Sequence, residues 1–280
     1  METLKEYLKP ERGVKLETIT YYNNINDPSI ILGPGLGGSA KKSSPSDILI
    51  KNFVGMNYKV RIFSPRNSGN STGHLTIGNY ISDLGLVIRN SEDNDERKPF
   101  VIGHSIGGYS LGRILGEDNN IEKAVLLAPL LAANEQNPWF LDKLLKLENK
   151  KARSAVFHSL NFINSFLWYL GASDQRFSGV KDAYEFAESL YSSPVCNCKM
   201  KVPTYIFLPG YTNVGSKIKN LDKLKKEWKE LQSRNSKIET YPDLDHYFSG
   251  FFIKSLGGGR AFMASEMGEI IGKIDSFFRY

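Results

Sequence analysis

Short runs of apolar and β-branched residues alternate along this chain with longer segments in which apolar residues recur every three or four positions. Runs of the first kind predict strands, and segments of the second kind predict amphipathic helices. Because the two alternate, we predict right-handed βαβ crossovers and an α/β fold built on a parallel sheet. The predicted strands cover residues 14–21, 29–32, 58–63, 100–102, 123–127, 204–208 and 237–241, and the predicted helices cover residues 77–89, 108–115, 221–232 and 260–278.

This alternation stops between residues 130 and 198. The stretch has helical periodicity, no strand-like run and many aromatic residues. A long excursion without strands predicts an inserted helical cap over the sheet. We therefore expect residues 1–130 and 199–280 to form an α/β core and residues 131–198 to form the cap.

Composition narrows the class of protein. The 280 residues are 41% hydrophobic, and 36 Lys and Arg against 30 Asp and Glu give a net charge of +6. These charges are dispersed, so binding to nucleic acid is not indicated. The longest apolar run, residues 124–133, is too short for a transmembrane segment, and residues 1–15 lack the apolar centre of a signal peptide. Together these features predict a soluble protein.

The two cysteines, Cys196 and Cys198, are only two positions apart. That spacing suits neither an ordinary disulfide nor, without further Cys or His ligands nearby, a metal site. We expect free thiols in a reducing cytoplasm and no bound metal.

The motif Gly103-His104-Ser105-Ile106-Gly107-Gly108 carries the strongest chemical signal. It stands directly between the apolar run at residues 99–102 and a helical segment. A serine on a sharp strand-to-helix turn projects its hydroxyl beyond the sheet, and flanking glycines permit the tight turn. We predict that Ser105 is a nucleophile.

A serine nucleophile needs a general base within hydrogen-bonding distance. His246 follows the last predicted strand and should lie at the carboxyl edge of the sheet, where Ser105 also emerges. We predict that His246 takes the Ser105 proton and later returns it to the leaving group. His104 should pack beside its strand, and His74 and His158 are expected to be surface or packing residues.

Acyl transfer also requires donors for the oxyanion of the tetrahedral intermediate. The amide of Ile106, at the start of the helix, and an amide from the glycine-rich loop at residues 33–38 suit this role. A phosphate-binding loop is the competing interpretation of residues 33–38. It is disfavoured because the trailing Gly-Lys-Ser/Thr of a P-loop is missing.

The order of glycine-rich loop, elbow serine, helical insertion and late histidine resembles the α/β-hydrolase superfamily. Within it, the chain is similar to serine esterases and monoacylglycerol-lipase-like hydrolases, most specifically at residues 103–108, 126–131 and 245–246. The resemblance implies a mostly parallel eight-stranded sheet flanked by helices, a lid after the sixth strand and no cofactor. It also implies that Leu36 supplies the second oxyanion donor beside Ile106.

One departure from the family concerns the acid of its catalytic triad, which follows the seventh strand, three residues after a glycine. That position holds Asn213, whose amide oxygen can orient His246 but supplies no charge for the imidazolium. Glu135, after the sixth strand, is an alternative source of the acid. Asp245 is too close to His246 in sequence to turn back on the ring, and Asp243 suits a turn.

These features predict a serine hydrolase that cleaves carboxylic esters through an acyl-enzyme on Ser105. Aromatic residues in the cap favour an apolar acyl or alkyl group in the substrate, although the same residues also suit packing of the cap onto the sheet. A serine rather than an aspartate at the elbow argues against dehalogenase and epoxide-hydrolase chemistry. The competing hypothesis, favoured by Asn213, is a catalytically impaired fold that binds a small molecule or a partner.

Overall fold

An eight-stranded sheet forms the centre of the molecule. The computed structural model describes residues 1–35, 38–40, 44–92, 97–117, 120–129, 185, 199–210, 218, 221–244 and 265–280. Its strands are β1 (Glu2–Leu8), β2 (Leu16–Tyr22), β3 (Ser29–Gly33), β4 (Lys59–Phe63), β5 (Phe100–His104), β6 (Ala124–Leu127), β7 (Thr204–Pro209) and β8 (Lys237–Tyr241). They lie in the order β1-β2-β4-β3-β5-β6-β7-β8.

The sheet is mostly parallel, which confirms the predicted fold class. The six strands β4, β3, β5, β6, β7 and β8 run parallel to one another. The strands β1 and β2 pair antiparallel, and β2 joins β4 antiparallel. The sequence pattern does not predict β1, because this edge strand keeps charged side chains along an exposed surface and lacks an apolar run.

Helices pack on both faces of this sheet. The described helices are α1 (Ser44–Gly55), α2 (Ile77–Glu92), α3 (Ile106–Ile114), α4 (Leu221–Leu231) and α5 (Ser265–Arg279). On one face, α2, α3 and α4 contribute Leu84, Leu111 and Trp228 to a buried cluster. On the other face, α1 and α5 contribute Phe53 and Ile270 to a second cluster. The sheet is therefore buried between two apolar layers, as expected for parallel strands.

The later helices confirm their predicted apolar stripes. Leu224 and Trp228 are buried in α4, and Met267 and Ile270 are buried in α5. The helix α1 is not among the predicted elements. Its residues Leu49, Ile50, Phe53 and Val54 have the spacing of one helical face, and all four are buried.

The predicted cap, residues 131–198, lies outside the described residues except for residue 185. The division into core and cap therefore stays a prediction. In the part of the chain that the structure describes, no helix combines the length and the apolar character that a membrane crossing requires.

The first half of the polar segment between β4 and α2 is largely buried, which its composition does not suggest. Ser64 and Ser68 are 0% exposed, and Arg66 is 5% exposed. The Arg66 guanidinium binds the fully buried Asp83 carboxylate through two hydrogen bonds of 2.9 and 3.0 Å. Because a buried charge is tolerated only when it is paired and hydrogen-bonded, these contacts explain how the segment packs inside the protein.

Candidate active site

Ser105 occupies a sharp turn between β5 and α3. Its backbone has φ 56° and ψ −117°, a conformation that L-residues rarely adopt. Such strain costs on the order of 1–3 kcal/mol. The Ser105 amide donates to the Leu127 carbonyl at 2.9 Å, and the Ser105 carbonyl accepts from the Tyr109 amide at 3.0 Å. The Ser105 side chain makes no capping hydrogen bond to α3, so the helix does not occupy its hydroxyl.

The turn is tight because main chain packs directly on main chain. A methyl group added at Gly107 would lie 2.1 Å from the Gly33 carbonyl oxygen. A methyl group added at Gly103 would lie 2.4 Å from the Gly107 carbonyl oxygen. The start of α3 therefore rests against the ends of β3 and β5, and Ser105 lies where these three elements meet.

Two backbone segments that could bind an oxyanion lie next to Ser105. Ile106 is the first residue of α3, and amides in the first turn of a helix have no helical acceptor. Gly35 lies against Ser105: a methyl group added at Gly35 would be 3.4 Å from Ser105 Cβ, which is van der Waals contact. The Gly38 amide donates to the Gly35 carbonyl at 3.0 Å, so the chain turns here. Leu36 lies outside the described residues, and its role as the second donor stays a prediction.

Buried side chains hold the beginning of this glycine-rich loop. The Tyr80 hydroxyl donates to the Pro34 carbonyl. Burial raises the pKa of Tyr80 well above its ordinary value, and the nearby Asp83 adds to the effect, so the hydroxyl stays protonated. His104 is also buried, and a methyl group added at Gly35 would lie 2.9 Å from its Nδ1. The beginning of the loop, at residues 34 and 35, is thus packed against two large side chains.

The carboxyl ends of β5, β6, β7 and β8 lie at one edge of the sheet. His104 pairs with Leu127, Leu127 with Phe207, and Phe207 with Glu239. Each of these four strands therefore ends at, or two residues beyond, this row of paired residues. The predicted nucleophile, base and orienting residue all follow strands that end at this edge.

Main-chain hydrogen bonds join the segments that follow β7 and β8. The Gly210 amide lies 2.7 Å from the Tyr241 carbonyl oxygen and 3.0 Å from the Leu244 carbonyl oxygen. The described chain after β8, up to Leu244, therefore turns toward the end of β7. In addition, the Ile218 amide donates to the Gly210 carbonyl at 2.8 Å.

Asn213 and His246 lie outside the described residues, so their meeting with Ser105 stays a prediction. By sequence, Asn213 is three residues beyond Gly210, and His246 is two residues beyond Leu244. The last described residues before them, Gly210 and Leu244, are joined by a hydrogen bond.

Other candidates from the sequence do not enter the described site. His74 is exposed, and Asp243 is exposed in the turn after β8, which suits a turn residue. Among the described residues, no group of His, Cys, Asp and Glu is arranged to hold a metal ion. The remaining candidates, Glu135, His158, Cys196 and Cys198, lie outside the described residues.

Sequence reasoning missed a group of buried polar residues behind the site. Glu17, Ser64 and Ser68 are each 0% exposed. Several of their hydrogen bonds join residues far apart in the sequence: Ser64 with Glu17, 47 positions away, Ser68 with Gly38, 30 positions away, and Glu17 with Asn70, 53 positions away. The spacing of residues within one segment does not predict such contacts. A glutamate within an apolar strand does, however, indicate that its carboxylate has a buried hydrogen-bond partner.

Known proteins share this fold. A family model described as Hydrolase_4, serine aminopeptidase S33, matches residues 26–208. No curated protein matches the chain.

Several solved structures align with nearly the whole chain. An esterase from Pyrococcus furiosus has a TM-score of 0.65 at 18% identity, covering 99% of this chain and 92% of its own. The α/β hydrolase GrgF from Penicillium sp. sh18 has a TM-score of 0.69 at 16% identity, covering 99% and 98%. An enol-lactonase from Burkholderia xenovorans LB400 has a TM-score of 0.65 at 13% identity, covering 98% and 100%. At these identities the likeness establishes the fold.

Proposed function

The chain belongs to the Hydrolase_4 family, described as serine aminopeptidase S33, and from that premise we propose that it is a serine hydrolase of carboxylic esters. The observation that carries the proposal is the strained backbone of Ser105 between β5 and α3. Such strain persists only where the surrounding structure imposes it, and it gathers at functional sites. The neighbouring amide of Ile106 and the contact with Gly35 add the surroundings that acyl transfer needs.

In the first half-reaction, Ser105 Oγ attacks the carbonyl carbon of the ester while His246 accepts the hydroxyl proton. The amides of Ile106 and Leu36 bind the resulting oxyanion. When the tetrahedral intermediate collapses, the bond between the carbonyl carbon and the alcohol oxygen breaks. His246 gives its proton to the departing alcohol, and the acyl group stays on Ser105.

In the second half-reaction, water attacks the acyl-enzyme and gives a proton to His246. The bond to Ser105 Oγ then breaks, the proton returns to that oxygen, and the carboxylic acid leaves. Asn213 orients the ring of His246 through its amide oxygen. Because an amide provides no negative charge for the imidazolium, we expect slow turnover.

The proposed substrate is a small ester with an apolar acyl group. Two of the similar structures are an esterase and an enol-lactonase, which supports ester chemistry over other acyl transfers. The aromatic-rich stretch at residues 131–198 supports an apolar group. We also propose a cytoplasmic location, because the spacing of Cys196 and Cys198 favours free thiols.

A second candidate function is binding of a small molecule or partner without hydrolysis. The residue that favours it is Asn213, which stands where the family has a carboxylate. This hypothesis keeps the fold and the arrangement around Ser105 but gives Ser105 no activated base.

Labelling with a fluorophosphonate probe separates the two functions. An active serine hydrolase should be labelled, Ser105→Ala should abolish the label, and Ser110→Ala should keep it. Ser110 is a matched control, because it is buried in α3 and its hydroxyl has no hydrogen-bond partner among the described residues. A folded wild-type protein that takes up no probe would favour the binding function. Turnover of p-nitrophenyl esters of increasing acyl length, compared with aminoacyl anilides, then distinguishes ester from amide substrates.

A further inference from the structure

A fully buried carboxylate lies behind the candidate active site, on the antiparallel strand β2. Glu17 is 0% exposed, and it faces the buried polar segment between β4 and α2. Glutamate is almost never fully buried unless it is paired. This carboxylate therefore requires donors inside the protein.

Hydrogen-bond donors from Lys5, Ser64 and Asn70 surround the Glu17 carboxylate. Asn70 Nδ2 lies 2.7 Å and Lys5 Nζ 2.9 Å from its Oε1. The Asn70 amide nitrogen and Ser64 Oγ each lie 3.0 Å from its Oε2. Burial by itself would raise the pKa of Glu17, but the hydrogen bonds from Lys5, Asn70 and Ser64 together outweigh it and lower the pKa to about 2. The side chain is therefore ionised and acts only as an acceptor.

This acceptor fixes the direction of the hydrogen bonds at Ser64. A hydroxyl has one proton, and Ser64 donates it to Glu17. The lone pairs of Ser64 Oγ then accept the Ala40 amide, whose nitrogen lies 3.0 Å away. The hydrogen bonds thus run in one direction, from Ala40 through Ser64 to Glu17.

Ala40 follows the glycine-rich stretch that contacts Ser105, and we call its described residues, Gly35 and residues 38–40, the oxyanion loop. At its far end, the Tyr21 hydroxyl also donates to the Ala40 carbonyl at 2.8 Å. At its near end, a methyl group added at Gly35 would lie 3.4 Å from Ser105 Cβ. One end of the loop is therefore fixed by buried side chains, and the other end lies against the serine.

We propose that Glu17 and Ser64 are positioning residues that hold the oxyanion loop at a fixed distance from Ser105. This role rests on the proposed hydrolase function. Both side chains are fully buried, so Glu17 acts through its hydrogen bond with Ser64, and Ser64 acts through its hydrogen bond with Ala40. Donors that are already fixed when charge develops stabilise a transition state without having to reorganise.

The kinetic test compares Ser64→Ala with Ser29→Ala. Ser29 is a matched control, because it is also buried and lies at the far end of β3, where the partner of its hydroxyl among the described residues is the hydroxyl of Ser91 at 3.4 Å. Complete loss of an oxyanion donor costs roughly 10²–10³-fold in kcat, so a loosened donor should cost about 10-fold. We expect Ser64→Ala to lower kcat by this factor with KM unchanged within about 2-fold. A kcat equal to that of Ser29→Ala would overturn the proposal.

A double-mutant cycle tests whether Glu17 acts through Ser64. Glu17→Gln should lower kcat about 5-fold in the wild-type protein but less than about 2-fold when Ser64 is already alanine, because residues in one hydrogen-bond network are not additive. Independent, additive effects would show that Glu17 does not act through Ser64.

Hydrogen exchange provides a measurement that does not depend on activity. The Ala40 amide should exchange at least about 10-fold faster in Ser64→Ala than in the wild-type protein, with no change in Ser29→Ala. Equal protection of this amide overturns the proposal whether or not the protein hydrolyses esters. Conversely, faster exchange in a protein that shows no probe labelling would refute the hydrolase function and leave the anchoring of the loop intact. If Ser64→Ala does not fold, Ser64→Cys keeps the volume, weakens both hydrogen bonds and gives the same two measurements.

Discussion

The backbone amide of Gly210 lies 3.0 Å from the carbonyl oxygen of Leu244. This hydrogen bond ties the end of β7 to the turn that follows β8. Gly210 and Leu244 are the last described residues before Asn213 and His246, so the two described chain ends are fixed to one another at this edge. Only a glycine allows so close an approach, since a methyl group at position 210 would lie 1.9 Å from the Pro242 carbonyl oxygen.

Gly210→Ala should therefore destabilise the protein and lower turnover together. The added methyl group would meet backbone atoms of Pro242, which cannot turn aside as a side chain could. Overpacking of this kind costs about 1–3 kcal/mol, to be measured as the free energy of unfolding in urea. Gly268→Ala is the matched control, because nothing lies within 4 Å of a methyl group on that exposed face of α5. It should stabilise the protein by about 0.5–1 kcal/mol. Equal behaviour of the two variants would contradict the proposed close contact.

Asn213→Asp should increase esterase turnover if Asn213 faces His246. In a well-studied serine protease, the reverse exchange lowers kcat about 10⁴-fold, so we expect kcat/KM to rise by at least about 10-fold. Asn235→Asp introduces the same charge in an exposed turn before β8, at the opposite edge of the sheet, and should change nothing. If both variants match the wild-type protein, the acid comes from elsewhere, and Glu135→Gln should then abolish activity.

The stability contributed by Glu17 should depend on pH in a defined direction. Its pKa is about 2 in the folded protein, against an ordinary value of 4.5, so the folded state binds the proton less tightly. The contribution is therefore complete above about pH 4.5 and is lost as the pH falls toward 2. Its size at neutral pH is on the order of 3 kcal/mol.

Denaturation of the wild-type protein and of Glu17→Gln at several pH values measures this contribution. The difference in free energy of unfolding should be largest at pH 6–7 and should narrow toward pH 3, because the wild-type carboxylate loses its advantage there. Glu122→Gln, which removes an exposed carboxylate, should show only a small difference at either pH. A gap between wild type and Glu17→Gln that stays constant with pH would be inconsistent with an ionised, hydrogen-bonded Glu17.

Local signals made the framework of the site predictable from sequence. The predicted strand at residues 237–241 coincides with β8, and the apolar stripe of α4 is buried at Leu224 and Trp228. The glycines around Ser105 indicated the elbow, because only small residues permit such close packing of main chain on main chain. In each case the residues that carry the signal also form the element.

The buried polar framework could not be predicted in this way. Residues 64–73 are rich in Ser, Asn and Gly, a composition typical of a polar loop, yet Ser64 and Arg66 are buried. Their partners, Glu17 and Asp83, come from other elements of the fold. Polar groups enter a core only where tertiary structure supplies their hydrogen bonds, and a single sequence does not reveal those partners. The contributions of Leu36, Asn213 and His246 stay predictions for the experiments above.

The stretch recognised by the family comparison begins at residue 26, whereas Glu17 lies on β2, which precedes that boundary. A protein shortened to start there would retain the nucleophile and the glycine-rich loop but would deprive Ser64 of its acceptor. We therefore expect full activity to require residues that lie outside the stretch that identifies the family. Substitutions among the first 25 residues should then change the reaction rate without altering any group that we propose to contact the substrate.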